Sequence, residues 1–520
     1  MIHYDNLKED TRLLHHSEFV RKIISVYDLS DAQIDQLNKP TVKIIQHDSI
    51  DKIASFLKQS EHLMICGDYD ADGVSATSIA YLLAKKLNKE KVGYYIPHRF
   101  DEGYGVSCNT IQLAHDKGYT DVLIVDTGVK AHDAVNLALS LGMRVAIVDH
   151  HLIEGTLPNC DILHPSFLES YANNMSAGGL MFVVAESMHL LDDKIMAYGA
   201  ISTIGDVMPL WGKNREIVMR GLEVLNKRPL INIDALWKRY NAPYTAKTIG
   251  FQIVPKINAV GRMADRVNMN TMVQYLITDD ETSIRHYANQ VLKINTLRKE
   301  IGKDDAKHAL SLIKDDPIHI VASEHFHEGL MGIVANQIMS KTGVPTLVLK
   351  EKKTVYKGSA RSSSISLKDL FSKLNEKYFD GFGGHDFAFG LSVKKEYFDD
   401  FVKDVNQEIL HLEAHHNLKP SIYCDFEITD KMIRDLFELE PFGEGFEVPT
   451  FMLSGFEIDD VVALNGYGYK CIFRNYYLKD AVIFNPNLSK ETLMNIHAIY
   501  GTFDVHPRFG LSFSIDTFDV

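Results

Sequence analysis

Between residues 60 and 150 the chain alternates short, continuously apolar runs with longer stretches whose apolar positions recur every three or four residues. LMIC (63–66), VGYYI (92–96), VLIV (122–125) and RVAIV (144–148) have strand length, and unbroken apolarity predicts burial on both faces. Between them, VSATSIAYLLAKKL, VSCNTIQLAHDKG and AHDAVNLALSLG carry helical spacing and end near Asn or Gly, as helices do. This alternation predicts a parallel sheet with helices on both faces. Residues 176–310 read as mostly helical, and the stretch 280–315 predicts one long helix joining two domains. A second α/β unit follows in IHIVAS, LMGIVANQIMSKTG, TLVLK and VYKGSARS. After Pro420, the short alternating runs IYCDFEI, TFMLSGFEI, KCIFR and DAVIF predict a small antiparallel barrel or sandwich.

The 520 residues suffice for two to four domains, each with its own core. No apolar run approaches the ~18 residues of a membrane span, and MIHYDNLKEDTRLLHH lacks the apolar centre of a signal peptide. Five scattered cysteines without a CxxC predict a reducing cytoplasm, with neither a disulfide frame nor a thiolate zinc site. A net charge of −14 argues mildly against nucleic acid, but the placement of charge matters more than its sum. Residues 213–239 hold Lys213, Arg215, Arg220, Lys227, Arg228, Lys238 and Arg239 against Glu216, Glu223 and Asp234. That stretch reads equally as a solvated helical face or as a patch facing phosphates.

Three of the expected strands run into acids. LMIC leads to Asp68, Asp70 and Asp72, VLIV to Asp126, and RVAIV to Asp149, His150 and His151. Asp206 follows an apolar helix in ISTIGDVMPL. A lone Asp after a strand is commonly a turn or a helix cap, and Asp72 before Gly73 fits that too. The carboxyl ends of parallel strands share one edge, however, so these acids converge. Clustered carboxylates repel and call for a cation. Oxygen ligands with one or two imidazoles suit Mn2+ or Mg2+, and five or six such groups suffice for two ions sharing a carboxylate, as in phosphoester hydrolysis.

On GDYDADG, VDTG, VDHH and GDVMPL the chain resembles the DHH phosphoesterase superfamily. On IPHRFDEGYG (96–105) and INAVGRM (257–263) it resembles the RecJ-like nucleases within that superfamily. HEGLMGIVA, KGSARSSS and FGGHDFAFG are similar to the accessory DHHA1 domain, and LEPFGEGFEVPTF (439–451) to the start of an oligonucleotide-binding-fold domain. The resemblance implies an N-terminal extension (1–44), a DHH catalytic domain (45–279), a connecting helix (280–315), a DHHA1 substrate-binding domain (316–416) and an OB-fold-like nucleic-acid-binding barrel (417–520). It implies a metal-dependent exonuclease that degrades single-stranded DNA from the 5′ end in recombination and repair, with single-strand-binding protein or a helicase as partners and no membrane.

The resemblance also assigns roles. Asp68, Asp70, Asp72, Asp126, His150 and Asp206 would hold two Mn2+ or Mg2+ ions, with Asp126 bridging and Asp68 a ligand or one step removed. Asp149 would orient the histidines, and His151 would position or protonate the scissile phosphate. Arg99, Arg262, Ser359, Arg361, Gly384 and His385 would bind the strand and its terminal phosphate. Tyr467, Tyr469, Phe473, Arg474 and Tyr476 are candidate base contacts, although aromatics in a small barrel are more often core. The chain departs from the family pattern at Gly205, in HFHEG (325–329), at Phe389, which would narrow the terminal-phosphate pocket, and at Phe446.

Two other readings are compatible with the sequence. A superfamily hydrolase of short oligonucleotides or cyclic dinucleotides would generally stop after the DHHA1 unit, whereas about 100 residues follow here. A non-catalytic DNA-binding scaffold would be expected to have lost metal ligands, and every expected acid and histidine is present.

Overall fold

The four apolar runs of the first half form the strands His62–Cys66, Lys91–Tyr95, Asp121–Val125 and Arg144–Val148, with Asp161–Leu163 as a fifth. The structure, a computed structural model, describes all residues except 40–41, 104, 229, 239–241, 415–419, 465–467, 486–487 and 507–509. Every pairing in this sheet is parallel, and the spatial order is 91–95, 62–66, 121–125, 144–148, 161–163. The chain therefore leaves 62–66 on one side and returns to 121–125 on its other side. At that reversal the carboxyl ends of the two strands flank a crevice, the usual ligand position of open α/β sheets.

The C-terminal β-rich region, mostly antiparallel, forms an eight-stranded sheet that recruits Ile2–His3, which pairs with Ser421–Tyr423. One core joins Leu13, Phe19 and Ile23 of the N-terminal segment to Ile433, Phe451 and Phe503. Residues 1–95, 105–254 and 419–520 accordingly make one compact unit. Phe446 lies in this core, its ring 4.8 Å from those of Trp211 and Phe442, so that departure from the family pattern is a packing choice. Phe473 is buried as well, while Arg474 pairs with Asp459. Tyr467 lies outside the described residues.

The basic stretch after residue 213 divides: Lys227, Arg228 and Lys238 are exposed, the first two paired with Glu223 and Asp193, whereas its first cations are neither a solvated face nor a phosphate patch. Lys213 is completely buried and donates to Glu186 (2.6 Å), Glu216 (2.7 Å) and the Lys43 carbonyl (2.7 Å). Arg220 bridges the same two glutamates. The buried Arg215 donates to the carbonyls of Leu439, Glu440 and Pro441 at 2.6–3.1 Å. These cations are structural: they satisfy carboxylates and backbone oxygens that burial would otherwise leave unpaired. Arg239 lies outside the described residues.

Residues 96–104 and 255–418 form the second unit. Its helix Glu281–Ser311 runs 31 residues. Its sheet has the order 379–385, 388–394, 355–361, 346–351, 319–323, antiparallel except for the last pairing. Among the described residues no helix is long and apolar enough to cross a membrane.

Candidate active site

Asp70 caps the helix Ala71–Lys86: its Oδ1 accepts from the backbone N–H groups of Asp72 (2.9 Å) and Gly73 (3.1 Å). A Cβ on residue 73 would stand 2.6 Å from the Asp68 carbonyl oxygen, so glycine lets this helix start against the end of its strand. Asp72 is 1% exposed. It accepts from the N–H groups of Ala177 and Gly178, both at 2.8 Å, and from Ser202 Oγ at 2.5 Å. The two N–H groups open the helix Ala177–Ser187, whose positive end favours a carboxylate. Sequence reasoning missed this dock, because Ser176-Ala-Gly-Gly signals a helix start but not which acid meets it.

Asp126 ends its strand in the left-handed region at φ 61°, a conformation that Asp and Asn tolerate best among side-chain-bearing residues. Asp149 is fully buried and organises the next loop. It accepts from the N–H groups of Val129 (2.9 Å), His150 (2.7 Å) and His151 (3.1 Å), and from His151 Nδ1 at 2.8 Å. A carboxylate can only accept, so the His151 Nδ1 carries the proton and Nε2 is the acceptor of the neutral ring. Burial alone would raise the Asp149 carboxyl, but the bonds from His151 and the backbone bring it down to about 2. Burial is the largest influence and opposes the His151 cation, but the Asp149 bond together with the charges of Asp149, Asp206 and Asp68 outweighs it and raises His151. His164, another residue the sequence did not single out, donates from Nε2 to the His151 carbonyl at 2.9 Å.

These elements bring the expected ligands together. His150 Nε2 lies 3.2 Å from Asp126, 3.3 Å from Asp206 and 3.6 Å from Asp72. Donor atoms fall within 4.8 Å of one another in three sets: Asp126 with His150 and His151, Asp72 with His150 and Asp206, and Asp68 with Asp70 and Asp126. Asp126 is the carboxylate that two of the sets share, and His150 is likewise common to two. Gly205 closes the helix before Asp206 and packs where a Cβ would lie 3.0 Å from that of Ala71. The departure there brings the helix end in closely.

The crowding shows in the acidities. Burial, then the charges of Asp72, Asp70, Asp68 and Asp206, raise Asp126 well above the carboxylate range. Burial with Asp72 and Asp70 pushes Asp206 up to about 8, and burial with Asp72 raises Asp70. Burial lowers His150, keeping it a neutral ligand. Overlapping buried carboxylates around a neutral imidazole fit hard divalent cations such as Mn2+ and Mg2+. The sign of the proton linkage follows. An acid raised on folding stabilises the protein when protonated, and that contribution is lost as pH rises toward the folded value. In chelator, the melting temperature should therefore fall by about 3–5 °C between pH 5 and pH 8. Added Mn2+ should restore it most at pH 8. Equal melting at both pH values, with no response to Mn2+, would refute the charge crowding.

The second unit assembles the other expected residues. Ser359 and Arg361 alternate on the strand Val355–Arg361 and share a face, Arg361 donating to Ser359 Oγ at 2.7 Å. Across the neighbouring strands Arg361 aligns with Ala388 and His385, and Ser359 with Gly390 and Gly383. That face is therefore open, built from glycine and alanine. Phe389, expected to narrow it, belongs to the opposite face: it pairs with Ala360 and Gly384 and is buried 5.2 Å from the Phe371 ring. Phe326 of HFHEG is core too. The helix Met331–Thr342 begins against this site, with Gly332 too near the Arg361 guanidinium for a Cβ and Gly329 too near the Arg262 carbonyl. Arg99 lies in a segment anchored to the loop after Arg262: Ile96 pairs with the Asn270 amide at 2.9 and 3.1 Å, and His98 donates to the Ala264 carbonyl at 2.9 Å.

Residues 62–204 match the DHH family, N-terminal domain, and residues 315–410 the DHHA1 domain. The single-stranded-DNA-specific exonuclease RecJ of Bacillus subtilis is 30% identical over 94% of this chain and 66% of its own length. The protein of the same name from Haemophilus influenzae is 29% identical, over 84% of this chain and 83% of its own. The chain thus spans about two thirds of the Bacillus relative's length. Among solved structures, RecJ in complex with Mn2+ from Thermus thermophilus superposes with a TM-score of 0.79 at 20% identity, covering 96% of this chain and 78% of that one. Exonuclease RecJ bound to manganese gives 0.61 at 26% identity, over 71% of this chain and 96% of that one.

Proposed function

The chain belongs to the RecJ family of DHH-domain proteins, and from that premise we propose that it degrades single-stranded DNA from the 5′ end, releasing 5′ mononucleotides. The observation that carries this reading is the carboxylate cluster in which Asp126 joins two donor sets and His150 reaches three acids. Asp68, Asp70, Asp72, Asp126, His150 and Asp206 are the residues for two Mn2+ or Mg2+ ions, which supply, when bound, an acidified water and stabilisation of charge on the phosphoryl group. Asp149 fixes His151 through its Nδ1 proton, and in the charged ring that Asp149 favours Nε2–H would donate to the scissile phosphate. Water adds to phosphorus, the bond to the 3′ oxygen breaks, and a proton passes to that oxygen. The shortened strand then carries a new 5′ phosphate.

That regenerated phosphate is what Ser359, Arg361, Gly384 and His385 would hold. A guanidinium matches phosphate oxygens with a fork of donors, and burial keeps the Arg361 fork in place through its bonds to Ser359 and the Ala360 carbonyl. Arg99 and Arg262 would hold the following backbone. The work would be cytoplasmic, in recombination and repair, beside a helicase or single-strand-binding protein.

The test is a 5′-phosphorylated single strand labelled separately at each end, given Mn2+, with a blunt duplex and a cyclic dinucleotide in parallel. Early release of 5′-labelled mononucleotide from the single strand, absent from the duplex, is expected. Survival of the strand alongside cleavage of the cyclic dinucleotide would replace this reading with that of a small-substrate phosphodiesterase.

A further inference from the structure

The turn before the helix Met331–Thr342 carries a histidine whose bonds run toward the two arginines expected to hold the strand. His327 Nδ1 accepts from the Gly329 N–H at 3.2 Å, so the ring proton sits on Nε2, which donates to Asp265 Oδ1 at 3.0 Å. The His327 backbone N–H donates at 2.9 Å to Asp305, a buried carboxylate of the long helix Glu281–Ser311. Asp265 stands three residues past Arg262. Gly329 lies against Arg262 itself, since a Cβ there would be 1.9 Å from the Arg262 carbonyl oxygen. The His327 ring also meets Phe100, the neighbour of Arg99, edge-on with centroids 6.1 Å apart. Phe100 in turn meets His98, which donates to the Ala264 carbonyl. One imidazole thus ties the loop after Arg262 to the turn 327–329 and to the segment of Arg99. A ring that only filled space would use neither nitrogen, whereas here each has its own partner, and both partners flank Arg262.

We infer that His327 is a positioning residue for strand binding: its imidazole, held between Gly329 and Asp265, sets where Arg262 presents its guanidinium, and its contact with Phe100 steadies the segment that carries Arg99. The inference rests on the proposed activity, which gives the two arginines their occupant. An arginine side chain is long and flexible, so its fork reaches one place only when the backbone beneath it is held. His327 acts through the arginines and reads no base, so its loss should weaken every sequence alike and leave the chemistry at the carboxylate cluster intact. The two nitrogens can be replaced one at a time. An asparagine Oδ1 stands where Nδ1 accepts from Gly329, and a glutamine Nε2 stands where the ring donates to Asp265.

The test is the salt dependence of strand binding by the full chain at fixed Mg2+, using a 5′-phosphorylated oligothymidylate with phosphorothioate linkages to slow cleavage. His327→Asn, which gives up the reach to Asp265, should weaken binding roughly tenfold and flatten the plot of log affinity against log salt by about 0.7, one phosphate contact on a single strand. His327→Gln, which keeps the donor to Asp265, should restore most of the slope. On an unmodified strand at saturation, the cleavage rate of both variants should stay within about threefold of wild type, as for a loss confined to binding. Joined to Arg262→Gln, His327→Asn should cost less than the product of the two separate losses, because the contact it supports is already gone. Should His327→Asn fail to fold, Asp265→Ala breaks the same bond from its exposed end. An unchanged slope in a folded variant, or losses that multiply in full, with the wild-type chain still binding and degrading the strand, overturns the positioning role and leaves the exonuclease reading standing. A wild-type chain that neither binds nor degrades the strand overturns both.

Discussion

Asp126→Asn should abolish strand cleavage and at the same time stabilise the metal-free protein. The rate should fall on the order of 10³-fold or more, about 4 kcal/mol of barrier, because residue 126 joins the set with His150 and His151 to the set with Asp68 and Asp70. Its carboxyl is also strongly opposed by burial and by its four acidic neighbours. Replacing it with a neutral amide removes that repulsion, so the melting temperature in chelator at pH 8 should rise by a few degrees. Asparagine is chosen because it accepts the left-handed backbone at this position, which alanine would strain. The gain in stability should vanish at pH 5, where the wild-type cluster holds more protons. Full activity in Mn2+, or a melting temperature unchanged in chelator, would count against this account of the cluster. Function here is bought with stability.

Lys213→Met should be among the most destabilising single substitutions in the first unit, although the residue belongs to a stretch that reads as soluble and basic. Removing the ammonium leaves Glu186 and Glu216, 6% exposed each, with one partner fewer, and removing one member of a buried ion pair typically costs about 3–5 kcal/mol. Urea unfolding of the variant at pH 8 should show the loss, and pairing it with Glu186→Gln should recover part of it. A loss below about 1 kcal/mol would mean that Arg220, which bridges both glutamates, carries the network alone.

The parallel sheet and the acids at its edge are legible in the sequence because both depend on local pattern. An unbroken apolar run is a buried strand, and the residue after it lies at the sheet's rim. What escapes is information held by the partner. Asp72 meets the helix starting at Ala177, 105 residues later, and nothing near either position says so. The charges of residues 213–220 read as solvated because several of their partners, Glu186 and the carbonyls of Lys43 and residues 439–441, lie far off in the chain. Phe389 shows how much a one-residue offset decides: strand side chains alternate faces, so this ring enters the core while Ala388 and Gly390 beside it lie on the face of Ser359 and Arg361 and leave it open. The resemblance could align Phe389 with its usual counterpart but could not say which way it points.

The pairing of Ile2–His3 with Ser421–Tyr423 bears on how the chain is made. Synthesis delivers Phe19, Ile23 and Ile24 first, while Phe451 and Phe503, which share their core, emerge more than 400 residues later. Over that interval an apolar surface stays uncovered on the ribosome, where exposed surface invites aggregation. At ~5–20 residues per second the wait lasts on the order of half a minute, long enough for a chaperone to be the first partner this chain meets.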